Sequence, residues 1–125
     1  MRILLDTHIY LWWLQDSPKL STQARSNIES ATEVYVSSAS IWEAAIKISI
    51  GKLEADIEAL AAHIVKSGFI ELPVLSRHSI QLTRLPEHHR DPFDRMLVAQ
   101  AMCEPLRLLT ADQQLVAYSE LVDLI

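Results

Sequence analysis

Short apolar runs of strand length alternate with segments of helical periodicity along the whole chain of 125 residues. The apolar runs, rich in Ile, Leu and Val, cover residues 3–5, 34–36, 69–72, 106–109 and 121–125. The segments with helical spacing cover residues 9–14, 22–31, 39–50, 57–67, 79–85 and 93–103. Continuously apolar strands that alternate with helices are typical of a mostly parallel sheet, because crossover helices bury both of its faces. The pattern therefore predicts a three-layer α/β/α sandwich around a sheet of about five strands.

The composition predicts one compact domain over residues 1–125, because half of the residues are hydrophobic and no Ser/Gly-rich linker interrupts the chain. The apolar runs are far shorter than the roughly 20 residues that span a bilayer. Asp6 also interrupts the first run before it reaches the length of a signal-peptide core. We therefore expect a cytoplasmic protein with no membrane span. Its single cysteine, Cys103, cannot form an internal disulfide.

The net charge of −5 is the wrong sign for a protein that holds nucleic acid by bulk charge alone. A cluster of acids around a metal ion would account for much of this negative charge, since the ion offsets it locally. The net charge therefore does not exclude a nucleic-acid substrate.

Two aspartates stand where apolar strands end. Asp6 closes the first run, and Asp112 follows the run at 106–109. In an open parallel sheet, ligands bind beyond the carboxyl ends of the strands, so both residues are candidates for a site there. The alternative is that each aspartate caps the helix that follows it, which is a common role for Asp.

A third acid, Asp94, shares the inward-facing stripe of its predicted helix with Leu97, Val98 and Ala101. A buried carboxylate without a partner is costly, and no Lys or Arg occupies the same stripe, so a metal ion is the favoured partner. The nearby Asp91 precedes a proline, which is typical of a helix N-cap followed by a first-turn proline.

The fourth candidate, Glu43, opens a helix just after the run at 34–36. Ser40 and Glu43 also have capping-box spacing, so the alternative is that Glu43 bonds back to the chain at Ser40. Taken together, the four acids suggest one pocket. Carboxylates are hard oxygen ligands, which select Mg²⁺ or Mn²⁺ over Zn²⁺ and suit phosphate chemistry.

The same residues lie in motifs that resemble those of the PIN-domain nucleases, and specifically the VapC-type toxins of bacterial toxin–antitoxin pairs. The resemblance covers nearly the whole chain. It rests on LLDTH at 4–8, SIWE at 40–43, HHRDPFDR at 88–95 with LVAQA at 97–101, and LTAD at 109–112.

The resemblance implies a magnesium-dependent endoribonuclease whose catalytic, metal-binding acids are Asp6, Glu43, Asp94 and Asp112. An ion held chiefly by Asp6 and Asp94 would activate water for attack on an RNA phosphodiester, with Glu43 assisting and Asp112 acting directly or through water. The products would carry 5′-phosphate and 3′-hydroxyl ends. The resemblance also implies a homodimer and a small antitoxin that covers the active-site groove.

Two functions of other classes compete with this prediction. A catalytically inert module with the same fold would use its acid pocket only to dock a protein partner. A phosphoacceptor receiver domain would need paired acids at the first strand and a late lysine, but the last lysine here is Lys66. The receiver domain is therefore disfavoured.

Several further residues near these motifs have open roles. Arg90 and Arg95 could contact RNA phosphates or belong to an ordinary solvated helix start. Adjacent histidines rarely reach one ion, so His88 and His89 are not predicted as ligands, and we expect His8 to pack at the strand exit. Packing or partner contact is favoured over base stacking for the three tryptophans at positions 12, 13 and 42.

Overall fold

Every strand pairing in the sheet is parallel in the computed structural model, which describes all 125 residues. The strands are β1 (Arg2–Leu5), β2 (Glu33–Ser37), β3 (Ile70–Leu72), β4 (Arg107–Thr110) and β5 (Val122–Leu124). The helices are α1 (Thr7–Gln15), α2 (Thr22–Ser30), α3 (Ser38–Ser49), α4 (Ile57–Lys66), α5 (Ser76–Leu82) and α6 (Pro92–Cys103), with a 3₁₀ helix at Gln113–Tyr118. The predicted five-stranded parallel sheet is confirmed.

The strand order β3-β2-β1-β4-β5 places the first strand at the centre of the sheet. The chain builds outward from β1 to β3 and then returns to the other side of β1 to form β4 and β5. The direction of winding therefore reverses between β1 and β4. At such a reversal the connections leave in opposite directions and open a crevice at the carboxyl ends of the strands.

Successive side chains of the central strand point to opposite faces of the sheet and enter two separate cores. Ile3 and Leu5 are fully buried in one core, which packs against α1, α2 and α4. Leu4 is fully buried in the other core with Leu108 of β4 and residues of α6. This division into two cores confirms the predicted sandwich, with helices on both faces of the sheet.

Two local features differ from the prediction. Helix α5 begins at Ser76, three residues before the predicted start, because the Nδ1 atom of His78 accepts a hydrogen bond from the backbone N–H of Leu75 at 3.0 Å. The 3₁₀ helix at Gln113–Tyr118 was not predicted, since six residues are too few to show helical periodicity. None of the helices combines the length and hydrophobicity that crossing a bilayer requires.

We expect L4A to lower the free energy of unfolding by about 2–5 kcal/mol, because it removes a fully buried side chain from the central strand. V65A is the control, since Val65 is 77% exposed and its truncation should cost less than about 0.5 kcal/mol. Chemical denaturation followed by circular dichroism measures both. Equal losses in the two variants would contradict this assignment of the core.

Candidate metal centre at the carboxyl edge of the sheet

Asp6 lies directly after β1 and is 4% exposed. Its backbone N–H donates to the carbonyl oxygen of Leu109 at 3.0 Å, which extends the pairing of β1 with β4. Its Oδ1 accepts from the N–H of His8 at 3.0 Å, and its Oδ2 accepts from the hydroxyl of Thr110 at 2.6 Å. Asp6 therefore caps α1, as the alternative interpretation expected, and is also held firmly at the end of two strands.

Asp112 is tied to the same point through Thr110. The hydroxyl of Thr110, which donates to Asp6, also accepts from the backbone N–H of Asp112 at 3.0 Å. The Oδ1 of Asp112 caps the 3₁₀ helix by accepting from the N–H of Gln114 at 2.9 Å. Its Oδ2 lies 3.0 Å from Nε2 of His89. Asp112 therefore caps the 3₁₀ helix with one oxygen and contacts His89 with the other.

Asp94 enters the site from the first turn of α6. Asp91 caps this helix, accepting from the N–H groups of Phe93 and Asp94 at 2.9 and 3.2 Å, and Pro92 follows it in the first turn. The cap predicted at Asp91 is therefore confirmed. The side chain of Asp94 is 17% exposed, and its Oδ2 lies 3.2 Å from Nε2 of His89.

The capping-box alternative for Glu43 is wrong. Helix α3 begins at Ser38 and is capped by Ser37, whose hydroxyl accepts from the N–H of Ala39 at 3.0 Å. Ser40 is therefore already inside the helix, and its hydroxyl accepts from the hydroxyl of Thr7 at 2.8 Å. Ser40 and Glu43 therefore do not form a capping box, and the carboxylate of Glu43 is available for other contacts.

The buried carboxylate of Glu43 is only half satisfied. Its Oε2 accepts from Nζ of Lys47, one helical turn away, at 2.8 Å. Its Oε1 is buried and has no hydrogen-bond partner in the protein. Burying an oxygen without a hydrogen-bond donor lowers the stability of the folded protein. A cation or a further donor at Oε1 would therefore stabilise the site.

The acids meet at one cleft. A cavity of about 250 Å³ is lined by Asp6, Asp94 and Asp112 together with His8, Trp12 and Ala111. Glu43 does not line the cavity, but its charge acts on both Asp6 and Asp94. The structure thus brings three of the four predicted acids to one cleft and places the fourth within electrostatic reach.

This crowding of carboxylates makes ionisation unfavourable. Burial raises the pKa of Asp6, and the hydrogen bond from Thr110 opposes this rise only in part. Burial, together with the negative charges of Asp6, Asp91 and Glu43, raises the pKa of Asp94 to about 7. The pKa of Lys47 is raised chiefly by its hydrogen bond to Glu43. The site therefore carries more negative charge than its one lysine offsets.

The donor set fits a hard divalent cation. All four predicted acids offer oxygen, the ligand atom that Mg²⁺ and Mn²⁺ prefer, and Glu43 has an unpartnered buried oxygen. Burial and the repulsion from neighbouring acids raise the pKa of Asp94, and a cation would relieve this repulsion. Asp6, Glu43, Asp94 and Asp112 are thus the residues that could hold a metal ion.

His89 lies at the site, although the sequence analysis did not predict it as a ligand. Ligand-capable atoms of His89, Asp94 and Asp112 lie within 4.8 Å of one another. The adjacent His88 turns away and packs edge-on against Tyr118, with ring centroids 5.1 Å apart. The two histidines therefore point in different directions, and the loop that carries them sets which of the two faces the site.

Arg95 is engaged within the protein, which disfavours the phosphate contact that we considered. Its Nη2 donates to the carbonyl oxygens of Leu82 and Leu85 at 3.4 and 3.3 Å, and Nη1 lies 3.6 Å from Glu87. Arg95 thus anchors the loop between α5 and α6. Arg90 is exposed, which leaves its phosphate contact as a prediction.

The three tryptophans occupy different surroundings. Trp12 lines the acidic cleft near His8, whereas Trp13 packs against Phe69 with ring centroids 5.5 Å apart. Trp42 contacts Phe93 edge-on at 5.1 Å and is 63% exposed. The consecutive Trp12 and Trp13 therefore point to different faces of α1.

Comparison with known proteins gives one family and one curated relative. The PIN domain family model matches residues 3–121. The chain is 31% identical over 120 residues to Ribonuclease VapC22 of Mycobacterium tuberculosis, and the match covers 90% of this chain and 88% of that protein.

Solved structures share the fold at lower sequence identity. The structure of VapBC2 from Rickettsia felis bound to a promoter DNA fragment matches with a TM-score of 0.73 and 14% identity, covering 100% of this chain and 98% of that chain. DNA-bound VapBC from Salmonella typhimurium matches with a TM-score of 0.68 and 14% identity, covering 100% and 97%.

The raised pKa of Asp94 predicts how stability depends on pH when no metal is present. The folded protein holds this proton up to about pH 7, whereas an unfolded Asp releases it near its ordinary pKa of 3.8. The free energy of unfolding contributed by Asp94 should therefore fall as the pH rises between these values.

We expect D94N to remove this dependence. In chelator, D94N should be more stable than the wild type by on the order of 1–3 kcal/mol at about pH 8, and close to it at about pH 4. The matched control is D56N, because Asp56 caps α4 and Asn also serves as an N-cap. Thermal unfolding at both pH values measures the effect, and a D94N variant less stable than the wild type at the higher pH would contradict it.

Proposed function

The chain belongs to the PIN-domain family, and we propose that it is a metal-dependent endoribonuclease that hydrolyses phosphodiester bonds in RNA. The observation that carries the proposal is the meeting of Asp6, Asp94 and Asp112 at one cleft, with the unpartnered Oε1 of Glu43 within electrostatic reach. The similarity to a protein named as a ribonuclease supports the choice of RNA as substrate.

The proposed cofactor is Mg²⁺ or Mn²⁺. Asp6 and Asp94 would be its principal ligands, Glu43 would assist or hold a second ion, and Asp112 would contribute directly or through water. Such an ion supplies an acidified water as nucleophile and stabilises the charge that develops on the leaving oxygen. No side chain is then needed as a nucleophile.

The chain's own residues prepare the site for this chemistry. Thr110 fixes one oxygen of Asp6, and Lys47 occupies one oxygen of Glu43 while leaving Oε1 available. The Asp91 cap fixes the first turn of α6 and with it the position of Asp94. Because these groups are positioned in advance, little reorganisation is required when substrate binds.

A groove beside the cleft offers positive charge for an RNA backbone. This groove, of about 370 Å³ between α1 and α3, includes Lys47 and Lys52 and shares His8 and Trp12 with the acidic cleft. Phosphates that follow the groove would contact the lysines and then reach the acids. The lysines of this groove would thus give an RNA backbone local positive contacts although the overall charge is −5.

We also propose that the protein is the toxin of a cytoplasmic toxin–antitoxin pair, acting as a homodimer and held inactive by a small antitoxin over the cleft. Similar folds occur in VapBC bound to DNA and in a toxin–antitoxin complex from Klebsiella pneumoniae. Helix α3 exposes Trp42 and Ile46, and its C-cap residue Ile50 continues this spacing of four residues. An exposed apolar stripe of this kind supports contact with protein partners.

Replacing a principal ligand tests the proposed activity. We expect D6N and D94N each to lower metal-dependent RNA cleavage at least about hundredfold, which corresponds to about 3 kcal/mol of transition-state stabilisation. Each Asn preserves the size of the side chain but loses its charge. The assay incubates metal-loaded protein with total cellular RNA and maps new 5′ ends, and D56N again serves as the control. Full activity in D6N or D94N would overturn the assignment.

Ion-dependent stability separates the nuclease from a catalytically inert binding module. Mg²⁺ or Mn²⁺ in hundredfold excess over its dissociation constant should stabilise the wild type by about 2.7 kcal/mol and raise its melting temperature. D6N should respond much less, because it lacks one principal ligand. A wild-type melting temperature that neither ion changes would favour the inert module.

A further inference from the structure

We propose that His89 is a positioning residue: its Nε2–H group, hydrogen-bonded to Asp112 and in contact with Asp94, keeps both carboxylates in the orientation that binds the divalent cation. The inference rests on the metal-dependent activity proposed above and adds a residue to it. It assigns His89 a role as hydrogen-bond donor to the ligands, and not as a ligand itself.

The backbone around His89 assigns the position of its ring proton. Nδ1 accepts a hydrogen bond from the backbone N–H of Asp91 at 3.3 Å, so the ring proton lies on Nε2. Nε2 in turn lies 3.2 Å from Oδ2 of Asp94 and 3.0 Å from Oδ2 of Asp112. The Nε2–H group therefore donates to Asp112 and lies in close electrostatic contact with Asp94, which arrives from a different segment of the chain.

The same geometry disfavours His89 as a ligand. Coordination through Nε2 would require the ring proton to move to Nδ1, where it would face the N–H of Asp91, donor against donor. Donation from Nε2 is compatible with a bound cation, because it leaves Oδ1 of Asp94 free of the contact with His89. Carboxylates that bind metal ions are commonly oriented by such hydrogen bonds.

Contacts on both sides hold His89 in place. The hydroxyl of Tyr118 accepts from the backbone N–H of His89 at 2.8 Å and lies 3.3 Å from its carbonyl oxygen. Arg95 anchors the preceding part of the loop through the carbonyl oxygens of Leu82 and Leu85. The side chain of His89 is only 18% exposed. A donor held this firmly can orient the groups it contacts.

Like charges explain why a bridging donor is needed. Asp94 comes from α6 and Asp112 from the turn after β4, and two carboxylates this close repel each other. The other oxygen of Asp112 is already occupied by the N–H of Gln114. Without His89, Asp94 would be free to turn away from Asp112, and the cation would have to reorder both groups as it binds.

The test compares the affinities of H89Q, H89F, H89N and the wild type for Mn²⁺ and Mg²⁺ by titration calorimetry. Gln can place an amide N–H where Nε2 lies, whereas Phe keeps the ring without a donor and Asn is too short to reach both acids. H88F is the matched control, because a phenyl ring can keep the packing of His88 against Tyr118. Melting temperatures in chelator identify any variant that fails to fold.

We expect H89F and H89N to bind both ions about 10–100-fold more weakly than the wild type, with H89Q and H88F within about threefold of it. RNA cleavage at subsaturating metal should follow the same order and recover in excess metal. H89N keeps the test decisive if H89F does not fold.

Two results would overturn the inference. Binding by H89F and H89N as tight as that of the wild type would mean that His89 does not orient the ligands. A loss in H89Q as large as in H89F, and larger for Mn²⁺ than for Mg²⁺, would identify the imidazole as a ligand. If the wild type binds neither ion, the proposed function itself fails, and this outcome is distinct from both.

Discussion

The parallel pairing of β1 with β4 is the constraint on which the candidate site depends. It aligns Leu5 with Leu109, so the next residues of both strands emerge at the same edge of the sheet. The 2.6 Å hydrogen bond from Thr110 to Asp6 then joins side chains that are 104 residues apart in the sequence. Because Thr110 also accepts from the N–H of Asp112, the pairing places two acids at once.

The resulting concentration of negative charge lowers the stability of the fold, but it favours the binding of the cation that the proposed chemistry requires. Burial and neighbouring acids raise the pKa of both Asp6 and Asp94, which means that the folded protein resists holding them ionised. The surrounding structure keeps them in place through helix caps, the Lys47–Glu43 pair and the loop anchored by Arg95. A bound cation would be attracted by the same carboxylates that repel one another, so relief of the repulsion would favour its binding.

Much of this architecture was predictable, because the signals were local. Strand-length apolar runs and helical spacing identified the elements, and the position of an acid at the end of a run identified Asp6 and Asp112. The inward stripe of α6 identified Asp94 as an inward-facing acid. The competing cap and site interpretations proved compatible for Asp6 and Asp112, since a carboxylate has two oxygens that can face different partners. Spacing alone misplaced the start of α5 and suggested a pairing of Ser40 with Glu43 that does not form.

The sequence by itself determined the alternation of strands and helices, the identity of the acids and their likeness to one family, because these depend on residue types and short spacings. Only the tertiary structure decided the strand order, the unpartnered oxygen of Glu43 and the contacts of Arg95 and His89. These depend on contacts between segments far apart in the chain. A long polar side chain can bond in several directions, and packing selects the one that satisfies its neighbours.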